Sequence, residues 1–364
     1  MGKVTIFCQL SGCTPEAESM MYFNTEYQDT YGLQLTAAFE LLKSRDEAEG
    51  MQALTIIGPL ADNEKDWIEV ESIEEALALP EGRVRAVSGC AMDGMFDMGF
   101  CGGPEGGPDG ALISFGSCFY VITLMLPILE AATGGRVSIR RLWDLTIMKG
   151  HINAHSYNCL PGVSYGPVAE YWEQFAWMFG DISSEELIDM DSRGTPEEIA
   201  DMIRSRGYWM WMRPDRFPID SSATPQSSQN ISFGEPKQAM SPNSIFGLPP
   251  ETFHSLVAYL PLSDTISLAL GSKTLYNSLL GNMATRDTIA KSYIRLQAPW
   301  YLPYGEAELK WWNDRNGDKV LGWEYLKRCF VTSHSMRNRR RVWKAAESIE
   351  QECEKEERTW AGRT

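Results

Sequence analysis

The sequence predicts an α+β protein in which an acidic mixed N-terminal domain is followed by a small helical module and a helical C-terminal segment. Three observations predict it. Short apolar runs of strand length interleave with helix-spaced apolar segments over residues 1–220. The stretch Ser221–Ser244 then shows no apolar periodicity. Beyond it the pattern is helical, with closely spaced caps and breakers.

A length of 364 residues fits two or three domains with ample core. Hydrophobic residues at 43% and charged residues at 23% match an ordinary soluble globular chain. Twelve Trp favour packed cores and binding surfaces over disorder. The formal charge of −16 is uneven: residues 1–220 carry 15 Lys and Arg against 34 Asp and Glu, a net of −19, and residues 221–364 carry 18 against 15, a net of +3. The acidic part would repel a phosphate backbone, so nucleic acid is not an expected partner there.

Taken in order, Val4–Phe7 reads as a short strand and Gln34–Lys43, with Leu35, Ala38, Phe39 and Leu42 at helical spacing, as a helix. Leu54–Gly58 and Val84–Val87 read as strands, and the glycine-dense Met92–Gly110 as a loop. Ala111–Leu129 is nineteen residues without a charge, close to membrane-span length. Gly116, Ser117, Thr123 and Pro127 interrupt it and no basic cluster flanks it closely, so a buried strand or helix is expected and no membrane contact. Val137–Thr146 reads as a short helix. Pro196–Arg204 reads as another, with Thr195 as cap and Glu197 and Glu198 in its first turn. The Trp-rich Tyr208–Pro218 closes the acidic half. Ser221–Ser244 is a linker of Ser, Gln, Asn and Pro that cannot bury enough surface to offset its ordering.

Eight Cys at positions 8, 13, 90, 101, 118, 159, 329 and 353 form no regular framework. With no secretory design at Met1–Lys3, free thiols and a cytoplasmic or nuclear location, or both, are expected. Cys8, Cys13, Cys90 and Cys101 lack the Cys-x2-Cys spacing of a zinc grip. His151 and His155 are four apart, but Gly150 precedes them and no acid lies between them. Asp93 and Asp97 read as solvated loop residues. Gly102–Gly110 lacks Gly-Lys-Ser/Thr and carries Glu105 and Asp109, which would repel a phosphate. No catalytic fingerprint appears, so no enzyme, no cofactor and no metal are expected. An enzyme centred on Asp93–Asp109 is the outlying alternative.

Near the end, Arg337, Arg339, Arg340, Arg341 and Lys344 are followed by Glu347, Glu350, Glu352, Glu354, Glu356 and Glu357. This reads as one helix with its charges separated along its length and an apolar stripe of Val342, Trp343, Ala346 and Ile349, suited to docking on the acidic half.

After the linker, Pro250 can open a helix whose Phe253, Leu256, Val257 and Leu260 share a face, and Pro261 stops it. Ser263 is the expected cap of a second helix with Ile266, Leu268, Ala269 and Leu270. Gly271 breaks that, and Ser272 caps a third with Leu275, Tyr276 and Leu279. Three helices this short bury little by themselves, so they need a partner, either the rest of this chain or another protein.

Leu248-Pro-Pro-Glu, a helix, Leu260-Pro-Leu-Ser-Asp, a Leu-rich helix and then Ser272-Lys273 resemble the F-box pattern over Phe246–Leu280. The resemblance implies residues 1–220 as a target-binding body, 221–244 as linker, 245–285 as the F-box and 286–364 as the helical C-terminal segment. It implies an adaptor of a Skp1–cullin–F-box ubiquitin ligase that binds Skp1 through Leu248, Pro249, Phe253, Leu256, Leu260, Pro261, Leu262, Leu268 and Leu275, and a protein target elsewhere. The alternative is an F-box-like scaffold acting outside the ligase. The apolar Cys118–Leu129 and the box Asn338–Trp343 are further similar to a large group of fungal F-box proteins.

Overall fold

The structure, a computed structural model, describes residues 8–13, 34–38, 40–42, 53–61, 67–68, 70–90, 100–101, 111–112, 118–151, 160–168, 184–215, 248–314, 321–331 and 334–362. Val4–Phe7, Asp93, Asp97, Gly102–Gly110, His155 and Ser221–Ser244 lie outside them. The fold is helix-rich α+β with a small antiparallel sheet. Two compact units form, one from Met1–Asp215 with Arg337–Thr364 and the other from Arg216–Met336. The units thus divide the residues after 286 at Arg337.

In the first unit, β1 (Leu54–Pro59) is the central strand, between β2 (Val84–Cys90) and, further along the chain, Phe119–Ile122. Leu54, Ile56 and Ile57 are fully buried. Thr55 is also fully buried, which is tolerable because its hydroxyl meets Ser88 Oγ at 2.7 Å and Thr123 Oγ1 at 3.0 Å. The expected strands at 54–58 and 84–87 are therefore present, each slightly longer. Phe100–Cys101, inside the stretch read as loop, is β3 and pairs as a two-residue ladder with β4 (Ala111–Leu112), the start of the charge-free run. The charge-free run continues as β5 (Phe119–Ile122) and a helix, Leu126–Thr133. Among the described residues no helix is long and apolar enough to cross a membrane.

Helix Ile139–Thr146 starts at Ser138, whose Oγ accepts from the Arg141 amide at 3.1 Å, and it buries Leu142, Trp143 and Leu145. Its Arg140 closes the C-terminal end of helix Ile73–Ala78 by donating to Leu79 O at 2.7 Å and Ala76 O at 3.2 Å. Helix Pro196–Arg206 carries a full capping box: the Glu198 amide donates to Thr195 Oγ1, and the Thr195 amide to Glu198 Oε2. Tyr208–Trp211, in the Trp-rich stretch, forms a buried 3-10 turn.

The second unit is helical: Pro250–Val257, Leu262–Leu270, Lys273–Leu279, Met283–Gln297, Glu306–Asp314 and Trp323–Val331. The three expected short helices are all there. The expected cap at Ser263 is not the one used. The helix begins two residues earlier than that cap implies, at Leu262, because Pro261 is already extended at φ −52°, ψ 144° and accepts from the Thr265 amide through its carbonyl at 2.9 Å.

Candidate functional site

The three short helices find part of their partner within the chain. Phe253, Val257, Ala269, Leu275, Leu279 and Leu280 bury together with Ile289 from helix Met283–Gln297, and Leu262, Leu268, Tyr276 and Trp323 close around them. Ser272 holds the start of the third helix, its Oγ accepting from the Leu275 amide at 3.1 Å. Asp287 joins the support by accepting from the Trp323 amide at 2.8 Å, which fixes the start of helix Trp323–Val331. Gln297 donates through its side-chain amide to Leu260 O at 2.8 Å and to Ala258 O at 3.4 Å.

This arrangement sorts the nine residues that the resemblance assigns to Skp1. Phe253 and Leu275 are in the chain's own core, out of a partner's reach unless that core opens. Leu262 and Leu268 are half-buried against it. Leu248, Pro249, Leu256, Leu260 and Pro261 are exposed. Two residues outside that set stand out as strongly: Tyr259 is 78% and Leu270 68% exposed, beside 53% for Leu256. Leu256, Tyr259 and Leu260 are spaced i, i+3, i+4. The spacing is legible in the sequence. What was missed is that Leu256 and Leu260, placed there on one face with Phe253 and Val257, are exposed while those two are buried.

The basic cluster before the glutamate run is expected to dock by its charge on the acidic half, and the structure uses it differently. In helix His334–Ala361, Asn338 and Arg339 are fully buried and Arg341 nearly so. The Arg341 guanidinium donates to Asn338 Oδ1 at 2.9 Å, to Tyr165 O at 3.2 Å, to Met210 O at 3.4 Å, to Cys13 Sγ at 3.3 Å, and to Ser11 O. Asn338 Nδ2 donates to Met212 O at 2.6 Å, and the Arg337 guanidinium lies 3.9 Å from the Trp209 ring centroid. Ion pairing comes from the acidic end instead. Glu357 meets Arg141 at 2.6 Å, Glu356 meets Lys149 at 2.8 Å, and Glu350 pairs with Arg136. The apolar stripe of Val342, Trp343, Ala346 and Ile349 is buried as the periodicity predicts.

Cys8 and Cys13 sit fully buried in one turn, closed by the Cys8 amide donating to Cys13 O at 2.8 Å. Burial pushes the Cys13 thiol up from its usual range, against the opposing pull of Arg341. Cys13 Sγ donates to Met210 O at 3.4 Å, and Cys8 Sγ accepts from the Ile122 amide at 3.2 Å, so both sulfurs are held by backbone. Among the described residues no three His, Cys, Asp or Glu side chains gather as a metal-holding group. Comparison with protein-family models, curated proteins and solved structures finds no match to this chain.

Proposed function

We propose that this protein is a substrate-recognition adaptor of a Skp1–cullin–F-box ubiquitin ligase, docking on a Skp1-like protein through residues 248–270 and holding a protein target with the rest of the chain. One observation carries the reading. The short helices have already filled their inner faces from their own chain, yet Leu248, Leu256, Tyr259, Leu260 and Leu270 remain outside. Fully burying one such side chain stabilises an association by about 1.5–3 kcal/mol, so burying several of them against a partner supplies docking energy. The same segment carries the F-box resemblance. The adaptor does no bond chemistry; it raises the effective concentration of a target near a ubiquitin-charged enzyme.

The test is co-expression of the full chain with Skp1, wild type beside Leu256→Asp/Leu260→Asp. Both positions are exposed, so the double variant keeps its helices, checked by circular dichroism. Wild type co-purifies and the variant does not. Equal recovery of both contradicts the docking face.

A further inference from the structure

Gln297 lies outside the segment that resembles an F-box, yet its side chain reaches back into it. Both of its contacts, Leu260 O at 2.8 Å and Ala258 O at 3.4 Å, are carbonyl oxygens. Carbonyls only accept, so the amide nitrogen faces them. These carbonyls lie just past the end of helix Pro250–Val257, where backbone acceptors have no helical donor. The turn they belong to is tightened by the Tyr259 amide donating to Leu256 O at 3.2 Å and the Leu260 amide donating to Val257 O at 3.0 Å. That same turn displays Tyr259 and Leu260, both exposed.

We infer that Gln297 is a positioning residue for the docking face: its amide pins the Ala258–Leu260 turn to helix Met283–Gln297 and so fixes the direction in which Tyr259 and Leu260 are presented. This rests on the adaptor reading for its partner but not for its geometry. Pinning the turn in the free protein removes an ordering cost that the partner would otherwise meet on binding. The residue is therefore a determinant of affinity that need not touch Skp1.

The experiment compares wild type, Gln297→Leu, which keeps bulk and loses the donor, and Gln297→Lys, which restores a donor toward the same carbonyls. Two readouts are taken on the full chain. The first is amide hydrogen exchange at Tyr259 and Leu260 in the free protein. Exchange is faster in Gln297→Leu by about threefold to tenfold, as expected for one lost net hydrogen bond, and returns toward wild type in Gln297→Lys. The second is Skp1 affinity, which falls by about the same factor in Gln297→Leu and recovers in Gln297→Lys. Unchanged exchange in Gln297→Leu overturns the inference. So does an affinity loss that Gln297→Lys shares. A wild type that does not bind Skp1 sinks the adaptor reading and the docking role with it, whereas the exchange readout still decides whether Gln297 holds the turn.

Discussion

Arg341 is buried, and its bonds among the described residues go to neutral acceptors and not to a carboxylate. Its donors are spent on three backbone carbonyls, one sulfur and one side-chain amide oxygen, drawn from Ser11, Tyr165, Met210, Cys13 and Asn338. A forked, planar cation can satisfy acceptors in several directions at once, which a lysine cannot. Arg341→Met is therefore expected to cost about 3 kcal/mol or more, because it strands buried carbonyls as well as deleting charge-assisted bonds. Arg340→Met, one residue earlier and exposed, is expected to cost far less. Urea unfolding followed by tryptophan fluorescence separates the two, and equal midpoints would contradict the hub. Gly12 supports the same place. Its φ of +70° lies in the left-handed region, and an added Cβ would sit 2.9 Å from Tyr165 Cγ. Tyr165 in turn donates its hydroxyl to Gln9 O at 2.7 Å, so Gly12→Ala is expected to lower the melting temperature clearly.

Among the elements, the C-terminal helix shows what sequence makes legible and what it hides. Its apolar stripe and its charge segregation could be read from spacing alone, as could the caps Thr195 and Ser272 once a helix pattern followed them, whereas Ser138, placed inside the expected helix Val137–Thr146, proves to be its cap. The burial of Arg339 and Arg341 could not. The surroundings of Arg341 are assembled from loop and turn backbone far away in sequence, and a carbonyl leaves no mark in the residue code. The bond from Gln297 to Leu260 O is hidden for the same reason, and Pro261 displaced the cap expected at Ser263 through backbone geometry. Short helices depend on caps most: Lys273–Leu279 has seven residues, and Ser272→Ala is expected to destabilise the protein by about 1 kcal/mol in urea titration. The helix's ion pairs also set a pH response. Hydrogen bonds from Lys149, against a smaller opposing effect of burial, hold the Glu352 carboxyl below its ordinary 4.5. A depressed carboxylate contributes stability that is present above pH 4.5 and lost as pH falls through its lowered titration point. Glu352→Gln should flatten that acid limb, and an unaltered limb in acid titration of stability would show that the pair contributes nothing.

Across the whole molecule, apolar exposure is partitioned. Among the described residues, all nine exposed large hydrophobic side chains belong to Arg216–Met336, and five of them fall between Leu248 and Leu270. The first unit has none among its described residues, and residues 1–220 carry the acidic excess. The two units thus offer partners different chemistry: apolar burial on the helical unit and charge on the acidic one. The α+β class, the strands β1 and β2 and the helical run after the linker were legible from periodicity, whereas β3 fell in a glycine-dense stretch that reads as loop. The assignment of Arg337–Thr364 to the first unit depends on long-range packing that periodicity does not encode. The central claim is that the exposed residues of 248–270 form a docking face for a Skp1-like protein. Titration of purified Skp1 into the purified full chain by calorimetry tests it most directly. The account predicts saturable one-to-one binding that Leu256→Asp/Leu260→Asp removes while the melting temperature holds. No heat of binding from the wild type, or binding that the double variant retains, would contradict it.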